Sequence, residues 1–160
     1  MNELFSLVRL SWLRLLVVVL CSVWVVGCSS TPPDNLGLQN DQRLAPCPET
    51  PNCVCSVVEN LDSEHYIAPL VGDLGTWNSL PVLVSSQPNL RIVEQGETYL
   101  RAEATSNIFR FVDDVEFHFL PEEGLIHIRS ASRVGYSDFG VNRERLEEIR
   151  RRLRLAVRPS

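Results

Sequence analysis

Three sets of side chains in this sequence could do chemistry. Cys28 follows Val25-Val26-Gly27 at the end of the uncharged run Leu15–Val26, and a thiol behind a small residue is a nucleophile placed to take up lipid. Cys47, Cys53 and Cys55 fall close together in CPETPNCVCS. Outside the cytoplasm such thiols favour a disulfide. Cys47–Cys53 is the better geometric pairing, since Pro48 and Pro51 bend the short loop, whereas an extended C-x-C lies near the upper limit for bridging. Cys55 is then the thiol left over. Two other uses stay open: a redox-active pair, and a metal site with His65 as fourth ligand, although that spacing matches no common zinc pattern.

The third set is Asp113, Asp114, Arg129 and Arg133, followed by Asp138 and Asn142 in a Gly-flanked loop expected to fold back over the same region. Asp113 interrupts the apolar face of a strand, and an unpaired buried charge costs several kcal/mol. Arg129 and Arg133, one strand on, are within reach of the two carboxylates, with Arg133 the diagonal neighbour. The set is expected to act either as a salt-bridged clamp or as a polar pocket that takes a small anion or sugar through the guanidinium forks; the alternative is a small hydrolase-like envelope enzyme that uses this Asp/Arg cluster. A hydrolase would use Ser130 or Ser132 as nucleophile, His127 or His118 as base and Asp114 as orienter. Strand parity puts both serines on the face opposite His127, and no G-x-S-x-G, H-E-x-x-H or phosphate loop occurs. No catalytic, cofactor or metal residues are therefore assigned, and a binding or structural role is expected ahead of an enzymatic one.

These groups need elements to hold them. The chain has 160 residues, 44% hydrophobic and 22% charged, which suits one folded domain and excludes wholesale disorder. All fifteen basic residues are Arg, so lysine Schiff-base chemistry is excluded; the net charge of −5 argues against a nucleic-acid partner. FRFVDDVEFHFLPEEGLIHIRSASRV reads as a hairpin. Phe109, Phe111, Val115, Phe117 and Phe119 share one face, and beyond Pro121-Glu122-Glu123-Gly124 the inward set becomes Ile126, Ile128, Ser130, Ser132 and Val134. Pairing Phe119 with Ile126 sets Glu116 opposite Arg129 and His118 opposite His127 on the other face, and a salt-bridged cross-strand pair of that kind contributes about 0.2–1 kcal/mol. Leu90–Glu94 and Tyr99–Thr105 read as two more strands about Gly96. Asp73–Ser86 reads as a helix that Pro81 would kink or restart. Val141–Arg154 reads as an amphipathic helix with Asn142 as N-cap and Leu146, Ile149 and Leu153 as its buried stripe. Its arginines suit either a solvated face or a patch for anionic lipid or polymer. The expected fold is α+β: a single small domain, with an antiparallel sheet of about four strands and helices packed on one face.

The positive flank of Arg9 and Arg14, the twelve-residue apolar run and Gly27-Cys28 resemble the lipobox of bacterial lipoproteins. The run is too short to span a bilayer, which takes about 20 residues. The resemblance implies a leader over residues 1–27, cleavage before Cys28 and acylation there, so the membrane is the expected partner through Cys28. Ser29 after the Cys resembles the signal for the outer membrane, facing the periplasm, in a Gram-negative cell. Residues 28–46 read as a flexible tether reaching about 24 Å, and residues 47–160 as the folded domain. A further envelope protein, anionic lipid or cell-wall component is the expected ligand class. CPETPNCVCS, FRFVDDVEFHF and RSASRVGYSDFGVNRER together resemble the bacterial and plastid family known as domain of unknown function 1499, over about Cys47 to Arg152. That resemblance implies no activity. Cys55 departs from it, standing where Ser is the commoner residue.

Overall fold

A computed structural model describes residues 31–156; the leader expected over residues 1–27, Cys28 and Arg158 lie outside the described residues. Elements follow in the order β1 (Cys53–Cys55), β2 (Leu70–Val71), α1 (Leu74–Ser85), β3 (Leu90–Gln95), β4 (Tyr99–Thr105), β5 (Val112–Leu120), β6 (Leu125–Ser132) and α2 (Val141–Ala156). Strands β3 to β6 form an antiparallel meander. The β5–β6 register is the expected one, with Phe119 opposite Ile126, Glu116 opposite Arg129 and His118 opposite His127. Gly124, at φ 63°, supplies the left-handed residue that closes the connecting turn.

The sheet is wider than the four strands expected. β1 and β2 both lie on the outer edge of β6, β1 opposite Arg129–Ala131 and β2 opposite Leu125–Ile126, giving six strands. Two- and three-residue strands are too short to show an alternating pattern, so periodicity could not reveal them.

Both helices cover one face. Trp77, Leu80 and Val84 of α1 and Leu146, Ile149 and Leu153 of α2 join Leu100, Ala102, Val115, Phe117, Phe119, Ile126 and Ile128 in one core. Trp77 stacks on Phe119 with ring centroids 5.6 Å apart and donates through Nε1 to the Glu97 carbonyl. The Asp73 side chain caps α1 by accepting the Thr76 N–H, and the helix continues through Pro81 in one piece. The residues of this cluster run from Val54 to Leu153. No helix among the described residues is long and apolar enough to cross a membrane.

Three local readings need correcting. Phe109 and Phe111 are exposed and stack on each other rather than entering the core. They belong to the β4–β5 connection, where Arg110 at φ 57° breaks the strand parity before Val112 restores it. Asn142 is not the N-cap of α2: Asp138 does that work, its carboxylate accepting the N–H groups of Gly140 and Asn142. Finally, part of the segment read as tether is packed. Leu44 and Ala45 are buried, and Gly37 donates its N–H to Glu116 Oε1 at 2.8 Å. With Cys55 Sγ against the Ala45 carbonyl, residues 37–45 lie over the sheet face opposite the helices.

Candidate functional site

Side chains alternate across a strand, so the neighbours Asp113 and Asp114 must face opposite ways. The six polar residues expected to cluster are accordingly divided by the sheet. On the helix side, the Asp113 carboxylate accepts from Arg145 Nη2 at 2.6 Å. Arg145 Nη1 also donates to Asn142 Oδ1 and Ser130 Oγ, and Ser130 donates to Asn142. The Asn142 amide then reaches the Asn52 carbonyl and Ser132 Oγ. This fully buried asparagine fastens the start of α2 to β6 and to the Asn52 backbone. Asp138 stays at the helix start as its cap.

On the opposite face, Arg133 grips Asp114 with two bonds, Nε to Oδ2 and Nη2 to Oδ1, both 2.7 Å, and also reaches Glu103 Oε1 at 2.6 Å. Glu103 and Asp114 sit directly opposite each other on β4 and β5. Like charges so placed repel; the Arg133 guanidinium between them converts that repulsion into a clamp. Arg91 and Arg101 extend the ladder to Glu103, Asp114 and Glu94. Burial works against the Glu103 carboxylate, but Arg133 and Arg91 hold it below the usual glutamate range. The Asp114 and Glu103 carboxylates push the Arg133 guanidinium still higher than its ordinary value.

Arg129 does not join this clamp. It pairs with Glu116 across the strands at 2.7 Å, and both side chains are almost wholly buried. Glu116 also accepts the Tyr99 hydroxyl at 2.8 Å and the Gly37 N–H. Burial and the adjacent carboxylate drive the Tyr99 phenol far above its usual range. This expected cross-strand pair lies in the interior, with residues 37–45 laid over it.

The arginines of α2 are largely engaged. Arg143 donates to the Glu64 and Tyr66 carbonyls, Arg150 to those of Ala68 and Pro69, and Arg151 and Arg152 both pair with Glu148. Arg143, Arg145 and Arg150 are straps that hold loops and strands to the helix.

The disulfide joins Cys47 and Cys53, and Cys55 is buried as a free thiol whose proton burial helps to retain. His65 Nδ1 bonds the Cys53 carbonyl rather than facing a thiol. Among the described residues, no group of three or more His, Cys, Asp or Glu could hold a metal.

The Ser130/Ser132 and His127 trio suggested for hydrolysis is separated by the sheet. One contact the sequence did not announce is Ser56 Oγ with His127 Nδ1 at 2.9 Å. The same oxygen accepts the Ile128 N–H, which identifies its immediate work as completing the sheet edge. Burial keeps both His118 and His127 below the ordinary imidazole value, and His127 lowers His118 further. Below about pH 6.5 the unfolded chain therefore binds protons that the folded one refuses, and stability falls as pH drops through that value. Urea midpoints at pH 7 and pH 5.5 should show this loss, and His118→Gln should reduce it; equal midpoints would contradict it.

A six-stranded antiparallel sheet with two helices on one face and a charge ladder on the other defines a small α+β sheet domain. This chain belongs to the family described as protein of unknown function (DUF1499), whose sequence model matches residues 43–153. It is also 30% identical over 83 residues to an Escherichia coli (strain K12) protein called "Putative acyl-CoA thioester hydrolase YbhC". That match covers 52% of this chain but only 19% of the relative's length. No solved structure matches.

Proposed function

We propose that this chain is an extracytoplasmic lipoprotein, acylated at Cys28, whose domain is a non-catalytic binding or structural module of the cell envelope. In a Gram-negative cell it sits on the periplasmic face of the outer membrane. The observation that carries the non-catalytic reading is mutual saturation. Asp113 is held by Arg145, Asp114 and Glu103 by Arg133, Glu116 by Arg129, and Ser130 by Asn142 and Arg145. Catalysis needs a group whose lone pair or proton is available to a substrate. Here each such group of the expected cluster is committed to a protein partner.

The anchor is supported by the arrangement of Arg9, Arg14, the apolar run and Gly27-Cys28. Acyl chains contribute about 0.8 kcal/mol per buried CH₂, so two or more give stable attachment. Growth with tritiated palmitate should label the wild-type chain and leave Cys28→Ser unlabelled. A wild-type chain without label overturns the anchor.

A second reading, thioester hydrolysis, takes its support from the name of the Escherichia coli relative and from the Ser56–His127 contact. Against it, among the described residues no carboxylate bonds the other ring nitrogen of His127. Ser56 is also buried beneath the sheet edge it completes. The dyad lacks the orienting third group that activates a serine.

A further inference from the structure

The C-terminal half of α2 and the segment 68–71, which ends in β2, border a groove of about 770 Å³, with Thr76 of α1 also in its wall. That volume lies within the about 300–1,000 Å³ of small-molecule sites. Leu70 and Leu153, both almost fully buried, form its inner side, while Val71 and Leu155 are 80% and 63% exposed at its opening.

The groove is positive although the chain carries a net −5: Arg150, Arg151 and Arg154 line it with one carboxylate, Glu147. Two of these guanidiniums are engaged. Arg150 donates to Glu147 and to the carbonyls of Ala68 and Pro69, and Arg151 pairs with Glu148. Arg154 is exposed and has no partner among the described residues. The helix dipole favours a cation in the last turn of α2, but it does not account for the apolar side chains exposed in the same groove. An uncompensated cation beside an apolar slot is the complement of a hydrocarbon chain with one negative charge at its head.

A peptide fits this groove less well. An added strand needs backbone donors and acceptors to join. Here Pro69 has no N–H, and the Ala68 and Pro69 carbonyls already accept from Arg150. A hydrocarbon tail needs neither, and gains from every methylene removed from water. A carboxylate head can take two parallel bonds from one guanidinium.

We propose that the groove between segment 68–71 and the end of α2 binds a free long-chain fatty acid, with its carboxylate on Arg154 and its chain along Leu70, Val71, Leu153 and Leu155. The site goes beyond the envelope-module reading, is separate from the clamp around Asp114, and stands whether or not Cys28 is acylated.

The test uses the purified full chain in phosphatidylcholine vesicles at mildly alkaline pH, where the ligand is ionised. The probe is palmitic acid with a diazirine in its chain, photolysed and mapped by peptide mass. Labelling of residues 68–71 and 153–155 should saturate and be displaced by palmitate. Hexadecanol, with the same chain and no charge, should displace the probe about tenfold less well. Arg154→Glu should weaken labelling about tenfold or more, and Val71→Asp should weaken it as well. Both replaced side chains are exposed, so the thermal midpoint should stay that of the parent. Adducts that do not saturate, or that Arg154→Glu leaves unchanged, reflect partition from the bilayer and overturn the proposal. Equal displacement by hexadecanol, or stronger displacement by lysophosphatidylglycerol or by an acidic amphipathic peptide, gives the groove to another occupant and overturns it too. So does labelling that rises when residues 157–160 are deleted, which assigns the groove to the chain's own tail. Labelling that falls as the protein is concentrated assigns it to a second copy, with the same consequence.

Discussion

Replacing Arg133 by alanine is expected to lower stability by about 3–5 kcal/mol, the loss that follows when one partner of a buried ion pair is removed. Arg133 has a side-chain exposure of 3%, and it bridges two carboxylates that face each other across β4 and β5. Its removal leaves Asp114 buried beside Glu103, so a favourable contact is replaced by a repulsive one in a poorly solvated place. Arg101 remains within 3.3 Å of Asp114 but already serves Glu94 and lies close to Glu103. Arg133→Lys should recover only part of the loss, because an ammonium cannot form the two parallel bonds to one carboxylate. Adding Asp114→Asn to Arg133→Ala should recover more. A urea denaturation series on these variants measures each value. A loss below about 1 kcal/mol for Arg133→Ala would mean that water reaches the ladder and that the clamp is a surface contact.

The same residues show what the sequence could reveal. A four-residue turn followed by a change of parity fixed the β5–β6 register, and that register made Arg133 the diagonal neighbour of Asp114, as found. Partner choice was harder. Asp113 and Asp114 belong to one expected cluster, although strand alternation sends neighbouring side chains to opposite faces. Arg145, the partner of Asp113, is absent from the expected set, yet it stands three residues after Asn142 on the same helix face, a spacing that carries the signal. Nothing in the local pattern of residues 37–45 marked them as structure. Their hold on the sheet comes from one backbone N–H, the buried side chains of Leu44 and Ala45 and a bridge between Leu38 and Leu44, all long-range or irregular. Propensity and periodicity read local order, so a strap made of tertiary contacts stays invisible to them. The DUF1499 match begins at residue 43, within that strap.

Glu116 is where the strap and the sheet meet, and Glu116→Ala is expected to be as damaging as the loss of Arg133. The carboxylate is fully buried and gathers three donors: Arg129 Nη1, the Tyr99 hydroxyl and the Gly37 N–H. Without it Arg129 becomes an uncompensated interior charge, and Arg129 Nε already has no acceptor among the described residues. A loss of about 3–5 kcal/mol follows. Glu116→Gln keeps an acceptor for the hydroxyl or the N–H and should lose less. A purely structural ion pair has a further signature. Removing both charges at once, as Glu116→Met with Arg129→Met, should be near neutral or stabilising by about 1–4 kcal/mol, since neither desolvated charge remains. Trypsin supplies an independent readout at the strap itself. Arg43 is exposed but the Leu44 that follows it is buried, so cleavage between them requires the segment to lift. Glu116→Ala should speed that cut by loosening the Gly37 contact, whereas Asp113→Asn, on the far face, should leave it slow under conditions where the fold persists. Equal cleavage rates in wild type and Glu116→Ala would show that the strap is held by Leu44 and Ala45 alone, and that the buried carboxylate serves the sheet and not its cover.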